Sequence, residues 1–292
     1  MSYVDKLYSS AESAGNIVCM GLDPVVSRLP YEGMEDGERI VKFFDTLFSK
    51  MASRNLKVAA FKPNLGFYSV LDRPREGKFS GSIALSRVLD MLSSYFPSVP
   101  VILDSKRGDI AKSSLNYAKE AFDTWGCDAV TVSPYMGLDS VEPFCFENKG
   151  VYVLTRTSNP GAKDFQNRLM LDSVDEKEIY PVYMQVAHML AYWVNTRAGL
   201  GSVVGATNIK ELEDIALYYN DKELPMLIPG VGSQGGTAPE VLDALKKCSY
   251  PYKLARINSS SGLTSPWKDS LPSDWLDLCI SKIEKLCSEA QI

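Results

Sequence analysis

The chain is 292 residues long, 45% hydrophobic and 23% charged, the proportions of an ordinary globular protein with ample material for a core. A net charge of -5 with both signs interspersed excludes a basic face for nucleic acid and a polybasic membrane signal. No stretch approaches the roughly 18 apolar residues of a membrane span, and the N-terminus has no apolar signal-like core, so a cytoplasmic protein is expected.

Six cysteines (Cys19, Cys127, Cys145, Cys248, Cys279 and Cys287) form no CxxC pair and lie in mostly apolar contexts, which suits reduced, buried thiols. The single histidine, His188, shares a helical run with Met184, Met189 and Trp193 and reads as a packing or surface residue. One histidine leaves no His-based metal cluster and little room for a Ser/His/Asp or Cys/His triad. Lysines and carboxylates must then carry any proton transfer.

In chain order, eight short apolar runs end in polar or glycine-containing turns: NIVCMGLD (16–23), LKVAAFKP (56–63), VPVILDSK (99–106), CDAVTVSP (127–134), GVYVLTRT (150–157), GSVVGATN (201–208), LPMLIPGV (224–231) and YKLARINS (252–259). Helix-compatible segments lie between most of them, among them 37–53, 82–96 and 178–196. Near-continuous apolar strands alternating with helices predict an α/β fold, a single-domain (β/α)8 TIM barrel spanning residues 1–292. In such a barrel the functional groups stand where strands end. Asp23, Lys62, Asp104 with Lys106, Ser158, the glycines after Pro229, and Asn258 all occupy such places.

The densest charge follows the third run, DSKRGDI (104–110). Asp104 and Lys106 are two residues apart at a strand end, so their side chains share one side of the sheet. Gly108 allows a tight turn, and Asp109 opens the next segment. Lys62, from another strand end, completes an alternating set of two lysines and two carboxylates. As structure this is an ion-pair network at a barrel rim; as function it is a charge array assembled before substrate arrives. The RGD tripeptide within it would need an extracellular loop to serve adhesion, and secretion is not expected of this sequence.

DSKRGDI resembles the D-x-K-x-x-D-I signature of the orotidine 5'-phosphate decarboxylases. AFKPNLGFY (60–68), SPYMGLDSVEPF (133–144), LTRTSNPGAKDFQ (154–166), VVGATN (203–208) and IPGVGSQGG (228–236) resemble the divergent type 2 branch of that family, from GLDP at 21 to about residue 260. The resemblance implies decarboxylation of orotidine 5'-monophosphate to UMP and CO2, the closing step of UMP synthesis, without metal or organic cofactor. It implies Lys106 as proton donor to C6, held charged by Asp104 and Asp109, with Asp104 near the substrate carboxylate. Lys62 and Asp23 would contact the ribose hydroxyls and Ser158 the pyrimidine. Asp109, Ile110 and Ser113 would serve the site of a neighbouring subunit, which implies a homodimer.

Residues 230–235, GVGSQG, satisfy G-x-G-x-x-G, but at a seventh strand and without a following ribose-binding acid they suit one phosphate better than a dinucleotide. The expected phosphate ligands are Gly232, Gly235 and Gln234, with loops closing around Gln234 and Lys163. At the eighth strand the family pattern places an arginine where this chain has Ser261, in NSSSGL (258–263). Arg256 is a candidate replacement if it faces the mouth, and otherwise it is paired inside the core. Ser260 and Ser261 are candidate neutral donors. Two other readings stand beside the decarboxylase: a Mg2+-dependent sugar-phosphate decarboxylase or epimerase of the same superfamily, and a nucleotide-binding protein that has lost turnover.

Overall fold

The computed structural model describes residues 1–171, 177–232 and 235–292. Eight parallel strands form its main sheet: β1 (Val18–Leu22), β2 (Ala60–Pro63), β3 (Ile102–Arg107), β4 (Ala129–Val132), β5 (Gly150–Arg156), β6 (Leu200–Val204), β7 (Met226–Ile228) and β8 (Ala255–Ser259). They are hydrogen-bonded in the order β2-β1-β8-β7-β6-β5-β4-β3, and two isolated parallel bridges, Phe61 to Val101 and Asn64 to Asp104, bring β2 against β3 and nearly close the barrel. Every residue of β1, β2, β4, β6, β7 and β8 is buried. One face of each strand fills the barrel and the other packs under helices, which is why these runs read as continuously apolar.

The longer helices are α1 (Tyr3–Ala14), α2 (Asp36–Ser53), α3 (Ser80–Tyr95), α4 (Ala111–Lys119), α5 (Val182–Trp193), α6 (Ile209–Tyr218), α7 (Ala238–Lys247) and α8 (Trp275–Glu289), with short helical turns at Leu65–Ser69 and Ser261–Thr264. Two departures from the predicted alternation have local causes. After β4 the chain makes 3-10 turns at Leu138–Ser140 and Glu142–Phe144 instead of a helix. Pro134, Gly137 (φ 76°) and Pro143 in this short segment interrupt helical hydrogen bonding. The segment predicted as helix from 178 instead begins as a strand, Ile179–Pro181, paired antiparallel with Leu169–Leu171, and α5 starts after Pro181. Among the described residues no helix is long and apolar enough to cross a membrane.

The barrel base corrects one sequence expectation. Arg256, early in β8, is fully buried and donates to the carbonyls of Ala59 (3.2 Å), Lys253 (2.9 Å), Ala255 (2.7 Å) and Leu7 (2.6 Å) and to Ser10 Oγ (2.7 Å). The guanidinium thus ties α1 to the bottom of β2 and β8. It does not reach the mouth, because Asn258 and Ser260 follow it toward the C-terminal strand end. Beside it Tyr3 donates to the Tyr152 hydroxyl at 3.1 Å.

Candidate active site

A cavity of about 690 Å3 opens at the C-terminal ends of the strands. Of the residues singled out from sequence, Asp23, Lys62, Asp104, Lys106, Ser158, Gly230, Asn258, Ser260 and Ser261 line it. Its floor is apolar, formed by Leu154, Val203 and Leu227, whose inward positions follow from strand alternation.

Asp104 is the hub. Its Oδ2 accepts from Lys62 Nζ at 2.7 Å, and its Oδ1 accepts from Lys106 Nζ at 2.5 Å and from Thr131 Oγ1 at 2.9 Å. Lys62 and Asp104 are buried, whereas the Lys106 side chain is 49% exposed. Burial opposes the Lys62 ammonium, but Asp104 and Asp23 outweigh it and raise its pKa above the ordinary lysine value. Burial likewise pushes the Asp104 carboxyl up, but Lys62 and Lys106 overcome it and hold the carboxyl well below the usual carboxylate range. The trio is therefore a fixed plus-minus-plus arrangement with its outer ammonium open to the cavity.

The backbone beneath the trio is irregular. Leu103 pairs with Val130 and Arg107 with Val132, so residues 104–106 of β3 stand opposite Thr131 alone. Lys106 takes φ 46° within this bulge, a left-handed conformation costly for a residue with a side chain. The loop after β5 is braced differently. Gln166 accepts from the Thr157 N–H at 2.9 Å and donates to its Oγ1 at 2.8 Å, while Arg156 pairs with Glu211 of α6 at 2.6 Å. A Cβ on Gly205 would lie 2.9 Å from Ser158 Cα, so glycine at the end of β6 lets Ser158 stand where it does.

Asp109 and Ile110 do not line this cavity. The Asp109 carboxylate accepts from the Ile110 N–H at 2.8 Å, Ile110 is 50% exposed, and Ser113 lies exposed on the first turn of α4. Nor do Gly232 and Gly235 line it. Their N–H groups, expected to be free for a phosphate, donate to Gly236 O (2.9 Å) and Gly232 O (3.1 Å). Gln234 lies outside the described residues, and Lys163 is exposed in the turn Pro160–Asp164. At the same corner Arg28, from the loop after β1, donates to Ser265 O (2.9 Å) and Trp267 O and so pins the chain just beyond Ser261.

Sequence reading passed over Thr131, Asn64 and the polar lining of Thr157 and Asn159. Asn64 caps the helical turn Leu65–Ser69 through Gly66 N at 3.1 Å and forms a backbone β-bridge with Asp104, which brings the end of β2 that carries Lys62 against β3. A polar residue within an otherwise apolar strand was the available signal for Thr131. Among the described residues Asp23 Oδ1 and Asn258 Oδ1, buried at the cavity and suited to accept from hydroxyl donors, find no hydrogen-bond partner.

Among the described residues no group of three or more His, Cys, Asp or Glu gathers in a way that could hold a metal ion. The carboxylate best placed in the cavity, Asp104, has both oxygens engaged by ammonium groups.

Residues 19–248 match the profile of the orotidine 5'-phosphate decarboxylase / HUMPS family. The chain is 41% identical over 243 residues to an orotidine 5'-phosphate decarboxylase of Herpetosiphon aurantiacus, covering 83% of this chain and 84% of that one. Its counterpart in Verminephrobacter eiseniae is 37% identical over 261 residues, 89% of this chain and 88% of the other. The structure is similar to Leishmania donovani OMP decarboxylase, with TM-score 0.75 and 30% identity over 99% of this chain and 97% of that chain. It is also similar to Leishmania donovani UMP synthase, with TM-score 0.76 and 31% identity over 99% of this chain and 57% of the longer one. Shared sequence along most of its length and a shared barrel place this chain in the orotidine 5'-phosphate decarboxylase family.

Proposed function

We propose that this chain, as a single catalytic domain, converts orotidine 5'-monophosphate to UMP and CO2 without metal or organic cofactor. The observation that carries the reading is Asp104 held between the Lys62 and Lys106 ammonium groups at 2.7 and 2.5 Å in the barrel mouth. Breaking the bond from C6 to the carboxylate leaves an electron pair in the plane of the pyrimidine, where the ring cannot delocalise it. The Lys106 ammonium opposes that developing charge and delivers its proton to C6, completing UMP as CO2 departs. Asp104 fixes the ammonium beforehand, so little reorganisation accompanies reaction, and its own charge disfavours the substrate carboxylate in the ground state. Solvent access to Lys106 allows its reprotonation between turnovers.

Lys62 and Asp23 suit the ribose hydroxyls, and Ser158 suits the pyrimidine. Ser260 and Ser261, which line the cavity, supply neutral donors at the phosphate end. Ser261 stands where the family pattern has arginine, and neutral donors bind phosphate more weakly than a bidentate guanidinium. The half-exposed Ile110, and Asp109 turned away from this chain's cavity, support a homodimer in which the partner subunit's Asp109 completes the charge array. A cytoplasmic setting agrees with six free cysteines.

The test is the absorbance change on adding orotidine 5'-monophosphate to purified protein in EDTA. Loss of the substrate band with UMP formation, absent in Lys106→Ala, is the expected result. Turnover that appears only with Mg2+ would replace the proposal by sugar-phosphate-type chemistry. Tight UMP binding without turnover would leave a nucleotide-binding protein.

A further inference from the structure

Thr131 is 1% exposed and lies on β4, opposite the bulge that carries the two central charges. Its Oγ1 accepts from the backbone N–H of Ser105 (3.1 Å) and of Lys106 (3.0 Å) and donates to Asp104 Oδ1 (2.9 Å). A hydroxyl has one proton and two lone pairs, so all three of its bonds are used, and all three go to residues 104–106. Those residues have left the regular ladder with β4, and the two N–H groups would otherwise lack a partner. One oxygen thus holds the backbone on which Lys106 stands, left-handed at φ 46°, and the carboxylate oxygen to which its ammonium is bound.

We propose that Thr131 is the positioning residue of the decarboxylase site, setting where the Lys106 ammonium stands relative to C6. It touches no reacting atom in this role. Its hydroxyl converts a strained bulge into a defined geometry, and without it residues 104–106 relax and carry the ammonium away from the line of proton transfer. Valine has the same shape and supplies neither the proton nor the lone pairs. Serine supplies all three bonds and lacks only the methyl group.

The inference rests on Lys106 as proton donor, so Lys106→Ala is measured beside Thr131→Val and Thr131→Ser in the full chain, with kcat, KM and UMP affinity for each. A displacement of about 1 Å costs on the order of 100-fold in rate, so kcat of Thr131→Val should fall by roughly that factor. Its UMP dissociation constant should stay within about threefold, and Thr131→Ser should recover most of kcat. A normal kcat in Thr131→Val, an equal loss of kcat and UMP affinity, or no recovery in Thr131→Ser would each overturn the assignment. If Thr131→Val does not fold, Thr131→Cys puts a poor donor and acceptor at the hydroxyl position, and full turnover in it would overturn the assignment equally. Substantial activity in Lys106→Ala would remove the underlying reading instead, whereas an inactive Lys106→Ala beside a fully active Thr131→Val removes this inference alone.

Discussion

Replacing Arg256 by Met separates a base-of-barrel role from a ligand role. The guanidinium makes five hydrogen bonds, four to main-chain carbonyls and one to Ser10 Oγ, from a position with no solvent exposure. Its charge is costly there, since burial lowers its pKa without a carboxylate to compensate. Methionine recovers that desolvation cost and fills much of the volume, but leaves buried acceptors behind. Leu7 O retains the Ser10 hydroxyl at 3.1 Å, so the loss falls mainly on Ala59, Lys253 and Ala255. At about 1–3 kcal/mol for each unsatisfied group, less the recovered desolvation, a net destabilisation of roughly 3–5 kcal/mol follows. With about 2–4 °C per kcal/mol for a chain of this class, the thermal midpoint should fall by roughly 6–20 °C. UMP affinity and KM of the folded fraction should be unchanged. Loss of a charge-assisted phosphate contact would instead weaken UMP by about 1.5–3 kcal/mol, or roughly 10- to 150-fold. An unaltered midpoint with UMP weakened to that degree in Arg256→Met would refute the assignment to the base.

The charge array has a defined pH window. The Asp104 pKa is depressed, so its pairing stabilises the fold above the unfolded carboxylate value of about 4 and is lost as pH falls below it. The Lys62 pKa is raised, so its contribution is complete below about 10.4 and is lost as pH rises beyond that. Thermal midpoints of the parent minus those of Lys62→Met with Asp104→Asn should therefore be flat between these limits and shrink outside them; a step near neutrality would contradict the pairing. Co-expression of Lys106→Ala with Asp109→Ala should restore about a quarter of full activity if each site draws Asp109 from its neighbour, and none if sites are self-contained. Gly205→Ala should raise KM about tenfold with little change in thermal midpoint, because a Cβ there meets Ser158 Cα at 2.9 Å; an unchanged KM would show that the loop yields freely.

Strand runs were legible because both faces of each barrel strand are buried, and burial selects apolar residues without regard to partners. The residues at the strand ends were legible for the complementary reason: Lys62 and Asp104 are charges that burial alone would not tolerate, and Lys106 pairs with them from the cavity side. What composition and periodicity could not convey was direction and pairing. Arg256 and Asn258 are both inward residues of β8, yet one is satisfied at the base by carbonyls of Ala59 and Leu7 while the other faces the cavity, and nothing local distinguishes them. The segment after β4 carries Pro134, Gly137 and Pro143, and its 3-10 turns stand where the regular alternation would place a helix. Gly232 and Gly235 were read as phosphate donors from their spacing, but a tight loop also needs its N–H groups to close on itself.

The array itself shows why its members cannot share one environment. The proposed reaction needs Asp104 ionised beside a substrate carboxylate, and a low-dielectric position between two ammonium groups keeps it so while making its field strong at short range. Lys62 is equally buried and cannot exchange its proton readily, so it suits a fixed counter-charge and not a donor. In the proposed reaction Lys106 gives up a proton in every turnover and must regain it from water, and it is the member left half exposed. Exposure allows a long side chain to wander, and the left-handed backbone at Lys106, held by the Thr131 hydroxyl, restrains it where burial cannot. On the proposal made above, the strain in the bulge is the counterpart of that exposure: a proton donor open to solvent keeps its aim through its backbone.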